Sequence, residues 1–189
     1  NFKVMKAPFD NTSKDAWSTV VPHRDDALVQ GIEVFKDYLA VTILEKGLTQ
    51  IEVLDHAAGE TRRIAFDEDV YIAYTNDNYE FDTDVLRYSY ESLTTPESTY
   101  DYHLATESHT LIKEQTVVGD FDRSNYVTER LFATARDGTQ VPVSIVYRKG
   151  MQKDGKNPLL QYGYGSYGSS SFPYFNSSRL SLLDRGFVF

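Results

Sequence analysis

Residues 163–168 read Gly-Tyr-Gly-Ser-Tyr-Gly directly after an apolar run at 158–162, and this loop is the part of the chain best equipped for chemistry. Its spacing fits G-x-G-x-x-G, which after a strand is a dinucleotide-binding fingerprint. That chemistry needs a helix opening inside the loop, so that its free amides meet the pyrophosphate. Here Ser-Ser-Ser-Phe-Pro-Tyr-Phe at 169–175 intervenes before any helix start. The acidic ribose ligand, expected about 20 residues further on, would fall near or past the last residue. A dinucleotide-binding protein is therefore kept only as a remote alternative. Ser166 is not a nucleophile elbow, because the G-x-S-x-G pattern needs glycine two residues earlier and Tyr164 stands there.

Other reactive side chains give weaker patterns. The acidic stretch 77–84 lacks the glycine and closing glutamate of an EF-hand, and reads as a solvated loop between strands. His103 and His109 have no partner pattern that would make a triad. With no cysteine and four scattered histidines there is no disulfide framework, no thiolate centre and no metal-ligand spacing. No cofactor or metal is expected.

The elements that must position the loop follow from periodicity and turn residues. Runs at 32–35, 38–44, 48–54 and 63–66 are separated by Lys36-Asp37, Glu45-Lys46-Gly47 and Ala58-Gly59-Glu60, the polar and glycine residues of chain reversals. A second set at 70–74, 85–91, 98–104 and 110–115 repeats that rhythm with little letter-by-letter similarity. Two propeller blades fit this spacing, and so does a β-sandwich. The style changes after residue 118. Strands at 130–135 and 140–147 flank Arg136-Asp137-Gly138, whose Asp-Gly pair suits a tight primed turn, and Pro142 belongs at an edge position because it cannot donate to a ladder. Residues 158–162 form a short run of the buried-strand type, followed by the glycine loop. Asn176 caps a helix over 177–185 with Leu180, Leu182 and Leu183 near one face and Gly186 as its stop; 187–189 begins a new strand. Strand, glycine loop, helix and strand are the opening of an α/β domain, and the chain is expected to be a fragment of one.

Composition restricts partners. The chain has 189 residues, 41% of them apolar and 14% aromatic, which suits a packed, strand-rich protein. A net charge of -9 without a basic cluster argues against nucleic acid. No run reaches the roughly 18 apolar residues of a membrane span, and no signal-peptide pattern opens the chain. The expected compartment is the cytoplasm, with the periplasm as the alternative.

At this point the chain resembles a known family. The runs PLLQYGYGSYG, RLSLLDRGFVF and ARDGTQVPVSIVYRKG look like the start of the peptidase domain of the prolyl oligopeptidase family, in the form of its oligopeptidase B branch. Upstream, RDDALVQGIEVFKDYLAV and LRYSYESLTTPESTYDY resemble its last propeller blades. The resemblance runs from about Pro22 to Phe189 in the family's order. It implies a mainly β part followed by an α/β part: the C-terminal blades of a seven-bladed β-propeller over 1–118, then the first strands and helix of an α/β-hydrolase domain over 119–189.

The chemistry implied is serine-type acyl transfer on short peptides, after Arg or Lys, with serine, acid and histidine beyond residue 189 and this chain inactive alone. Its partners would be such peptides and the remainder of the same polypeptide. By motif position Tyr164 corresponds to the family's oxyanion-stabilising tyrosine, a rigid phenol donating one hydrogen bond. Tyr167 falls where the family places an aromatic ring in the primary specificity pocket, able to stack on a basic side chain. Read without the family, Tyr164 is more readily a packing residue over the glycine loop, while for Tyr167 packing and pocket lining weigh about equally. One departure is that Phe172 and Tyr174 stand where bacterial members tend to carry acidic residues, which weakens the preference for basic substrates. A non-catalytic propeller interaction module with an α/β appendage is the alternative of a different class.

Overall fold

A computed structural model describes the whole chain, Asn1–Phe189. It is mainly β with one short helix, and two four-stranded antiparallel sheets form its centre. The first sheet comprises β3 (Ala27–Val34), β4 (Tyr38–Glu45), β5 (Leu48–Asp55) and β6 (Thr61–Arg63), ordered as in sequence. In the second, β7 (Tyr71–Thr75), β8 (Val85–Ser92), β9 (Ser98–His103) and β10 (Ser108–Glu114) are again sequential neighbours. Each sheet is an up-and-down meander with no strand crossing to the other. This is how propeller blades are connected, whereas sandwiches use Greek-key crossings.

β4 reads YLAVTILE and is buried along most of its length, because β3 and β5 cover its edges and apolar groups cover both faces. The β4–β5 reversal needs two residues at positive φ. Lys46 (φ 50°) and Gly47 (φ 77°) supply them, the backbone of a primed two-residue turn. One core lies between the sheets, built from Phe35, Ile51, Val53 and Ile64 of the first and Leu86, Tyr88 and Tyr90 of the second. A buried hydrogen bond links them, the Ala73 N–H donating to Thr49 Oγ1 at 2.7 Å. On the other face of the first sheet, β1 (Val4–Lys6) and β2 (Ser18–Val21) form a small hairpin whose Val4, Val20 and Val21 cover Val41 and Ile43.

Several sequence expectations need correction. The fourth strand is Thr61–Arg63 and not 63–66: the Ile64 N–H still bonds to Ile51 O at 2.9 Å, but the chain then leaves the ladder, and the Ile64 and Phe66 side chains fill the core between the sheets. β11 (Tyr126–Thr134) and β12 (Gln140–Arg148) form the expected hairpin, but its turn is not the primed two-residue type. Beyond the Thr134–Gln140 pair the Ala135 N–H still bonds to Thr139 O at 2.8 Å, so the three residues 136–138 close the loop, and only Gly138 (φ 88°) takes positive φ. That is the three-residue form with a glycine at its left-handed position. Pro142 sits opposite Phe132 in this ribbon. Residues 158–162 are not a buried strand: Leu159 is 63% and Tyr162 70% exposed, since the run pairs along one side only and nothing in the chain covers it.

The final helix, α1 (Ser177–Leu183), is capped as its sequence suggests, with Asn176 Oδ1 accepting from the Ser178 N–H at 2.9 Å. At its other end the Gly186 N–H bonds to Leu183 O and the Phe187 N–H to Leu182 O, a Schellman stop. α1 buries Leu183 against Val146 of β12 and against Val70 and Leu93 of the second sheet. It thereby joins the C-terminal part to the meanders.

Candidate functional site

The glycine loop hangs from a parallel pair of short segments. The Leu160 N–H donates to Val188 O and the Val188 N–H to Pro158 O, both at 2.9 Å, and Leu159 bridges Val188 in parallel. Phe189 in turn exchanges both backbone bonds with Val146, at 2.9 and 3.0 Å. The segment 187–189 therefore lies between β12 and 158–160. The route from 158–160 through the glycine loop and α1 to 187–189 is a crossover between parallel segments, the connection that builds α/β sheets.

Within the loop the Tyr164 N–H donates to Ser171 Oγ at 3.1 Å, and the Ser171 hydroxyl lies 3.4 Å from Tyr164 O. These two contacts close the loop without using the phenol. Tyr164 is 52% exposed and belongs to none of the hydrophobic clusters. Tyr167 is 99% exposed and sits at φ 60°, ψ 26°, left-handed backbone that is uncommon outside glycine. Strain of this kind concentrates at functional loops. Neither tyrosine hydroxyl has a hydrogen-bond partner in the chain. Ser166, between them, touches no histidine or carboxylate. His103 lies 3.2 Å from Thr110 and His109 2.8 Å from the Tyr88 hydroxyl, both within the second sheet, and 77–84 falls in the loop joining β7 to β8.

A cavity of about 610 Å³ separates the glycine loop from the β11–β12 hairpin and the β4–β5 turn. Tyr164, Phe172 and Tyr174 line it, the last two in edge contact with ring centroids 6.1 Å apart. Two guanidinium groups also line it, and neither is paired with a carboxylate. Arg130 donates to Lys46 O, while Arg179 donates to Tyr174 O at 3.0 Å and covers the Phe189 ring at 4.0 Å. Burial pushes both guanidinium groups below their ordinary value. Behind Phe175, which lines the cavity, the Glu91 carboxylate accepts from the Phe175 N–H at 2.8 Å, and burial raises its pKa. Sequence reasoning missed Glu91, Arg130 and Arg179. Their partners lie far away in the chain, and no local pattern marks them.

Comparison with known proteins resolves the family. Residues 1–115 match the family model described as prolyl oligopeptidase, N-terminal beta-propeller domain. The chain belongs to the prolyl oligopeptidase family. Among its relatives in this family of serine peptidases, dipeptidyl aminopeptidase BI of Pseudoxanthomonas mexicana is 46% identical over all of this chain and 26% of that protein. Protease 2 of Moraxella lacunata is 38% identical, again over all of this chain and 27% of its own length. Oligopeptidase B from Leishmania major superposes with a TM-score of 0.87 at 34% identity, covering 99% of this chain and 27% of that structure. The chain thus spans about a quarter of the length of the relatives it matches.

Proposed function

We propose that the polypeptide containing this chain is a serine-type oligopeptidase that cleaves short peptides after Arg or Lys through an acyl-enzyme. In this reading residues 1–118 are the last blades of a seven-bladed propeller, and 119–189 open the α/β-hydrolase peptidase domain. The observation that carries it is the parallel pairing of 158–160 with 187–189 around the tyrosine-bearing loop. Open α/β sheets place their ligands beyond the carboxyl ends of parallel strands, and the loop 163–168 leaves such an end. The apolar side chains left uncovered along 158–162 and on the β11–β12 ribbon suit a segment that further strands of the same polypeptide cover.

A serine elsewhere in the polypeptide attacks the scissile carbonyl, a histidine takes its proton and later returns it to the leaving amine, and an acid holds that histidine. Tyr164 supplies one of the donors to the oxyanion: its ring is fixed through the loop backbone while its unpaired hydroxyl stays free to donate. Tyr167, projecting from the same loop, offers a ring face to the cationic side chain of the residue before the cleaved bond. Phe172 and Tyr174 add apolar wall that stacks on the stem of that side chain.

A second reading is favoured by the relative named a dipeptidyl aminopeptidase, 46% identical to this chain: removal of dipeptides from a free amino terminus. The test offers the intact polypeptide fluorogenic peptides ending in Arg or Lys, with the amino terminus free or blocked. Cleavage of the blocked peptides is expected. Cleavage of free-amine peptides alone supports the second reading, and cleavage of neither overturns the peptidase proposal. Hydrolysis by the 189-residue chain that survives repurification overturns the placement of the nucleophile outside it.

A further inference from the structure

The two meanders have unlike ends. Turns at 46–47, 64–70 and 93–97 face the C-terminal part, whereas those at 35–37, 56–60, 76–84 and 104–107 gather at the opposite end. Between the two sheets at that far end lies a cavity of about 690 Å³. That is within the size range of small-ligand sites. Its walls carry Asp37, Asp55, Glu60, Asp82 and Asp84 against a single cation, Arg62. Arg62 is already engaged, with Glu107 at 3.1 Å and Leu104 O at 2.6 Å. Asp82 pairs with Lys36 at 2.7 Å, and Asp55 accepts the Ala57 and Ala58 N–H groups at 2.8 and 2.9 Å. The carboxylates of Asp37, Glu60 and Asp84 have no partner in the chain.

An independent feature marks the same cavity. Tyr38, at its wall, is only 5% exposed, its ring stacked on Phe35 at 4.3 Å, and its hydroxyl makes no hydrogen bond. Burial, and then the charge of Asp84, push its pKa up. A buried phenol without a partner is costly, and the group that relieves it must bring an N–H or O–H to the oxygen. No three carboxylates converge as metal ligands. The spread of charge suits a planar, multi-donor cation, and guanidinium, with five donors in a fixed fork, matches several carboxylates and one acceptor oxygen at once.

We propose that this inter-sheet cavity binds the guanidinium group of an arginine in a peptide, at a site separate from the glycine loop. The ligand's N–H groups bond Asp84 and Asp37 at the mouth, and one reaches the Tyr38 oxygen. Such a site holds basic peptides on the face of the propeller part that points away from the proposed peptidase centre.

The experiment measures binding and not turnover. The intact polypeptide, treated with a covalent serine-directed reagent to block the peptidase centre, is titrated by calorimetry with N-acetyl-arginyl-arginine amide. The same peptide with citrulline for arginine is the control, equal in shape but uncharged. The arginine peptide is expected to bind, more weakly as salt rises, and the citrulline peptide is expected to bind at least about tenfold more weakly. Each partly exposed ion pair is worth up to about a fivefold factor in affinity, so Asp37→Asn with Asp84→Asn should weaken binding by about tenfold or more. Tyr38→Phe, a milder change that keeps the ring, should weaken it severalfold and serves if the double variant fails to fold. Equal affinity for the citrulline peptide, or folded variants that all bind within twofold of the parent, overturns the site. Because the centre is blocked throughout, that failure leaves the peptidase reading standing. Retained binding in a polypeptide that cleaves nothing would separate the two in the other direction.

Discussion

Tyr164→Phe removes one oxygen from the glycine loop, and the structure sets apart what should and should not change. The loop is closed through the Tyr164 backbone and Ser171, which the substitution leaves intact. The ring is half exposed and lies outside the hydrophobic clusters, and its hydroxyl bonds to nothing in the chain. Stability should therefore stay within about 0.5 kcal/mol, as for surface changes that break no named interaction. If Tyr164 has the role proposed for it, the oxyanion by contrast loses a donor that matters chiefly in the transition state. Removing one such donor costs about 2.7–4 kcal/mol, or about a hundred- to thousandfold in turnover. Ground-state binding should barely move, so KM should stay within about twofold.

The assay compares kcat and KM of the intact parent and variant on a blocked, arginine-ending fluorogenic peptide, beside the melting temperature of each. If opening of the enzyme or product release limits kcat, the loss is masked in the steady state, so single-turnover acylation is the decisive readout. Unchanged acylation would remove Tyr164 from the oxyanion site. Parallel losses of acylation and stability would make it a packing residue after all.

Two further changes probe how the parts hold together. Leu183→Ala empties a fully buried position between α1, Val146 and the Val70–Leu93 pair, and should cost about 2–5 kcal/mol, read as faster amide exchange in both α1 and the second sheet. A loss below about 1 kcal/mol, or exchange that quickens in α1 alone, would refute that docking. His109 is held below its ordinary pKa of 6.5 by burial, so the folded state keeps it neutral while the unfolded chain takes up a proton. Its stability contribution is intact above pH 6.5 and lost as pH falls from there toward the depressed folded pKa, a loss kept small because the side chain is partly open to solvent. His109→Gln should flatten that acid-side decline in the exchange of β8–β10, and an identical decline in the variant would clear His109 of the effect.

Much of the meander was legible because its turns and its strands say the same thing locally. Glu45-Lys46-Gly47 interrupts two apolar runs with residues that tolerate positive φ, and the β4–β5 hairpin follows. Errors arose where tertiary demand outweighed local pattern. Ile64 and Phe66 look like strand residues and serve instead as core between two sheets, a destination set by the second sheet. Asp137-Gly138 looks like a two-residue turn, but the bond from the Ala135 N–H to Thr139 O leaves the three residues 136–138 to close, so glycine takes the left-handed place and aspartate does not. The hairpin β1–β2 was missed because its strands are three and four residues long, too short to show alternation. In the candidate site, the glycines announced the loop, while the left-handed backbone of Tyr167 gave no sign, since nothing about a tyrosine forecasts it.

Glu91 shows why the least legible residue matters to the site. A buried carboxylate is costly: burial raises its pKa, and the Phe175 N–H bond only partly opposes that. A buried charge of this sort is poor at adding stability and good at fixing register, because few arrangements satisfy it. Here the arrangement it fixes is that of 172–175, the segment that returns from the glycine loop toward α1. One end of the loop is set by the parallel pairing at 158–160, and the chain beyond its other end is pinned to the second sheet by Glu91. A loop so held presents Tyr164 and Tyr167 from a frame built by both parts of the chain. The propeller sheets thus do more than sit beside the glycine loop: one of their strands supplies the carboxylate that sets where the loop's exit lies.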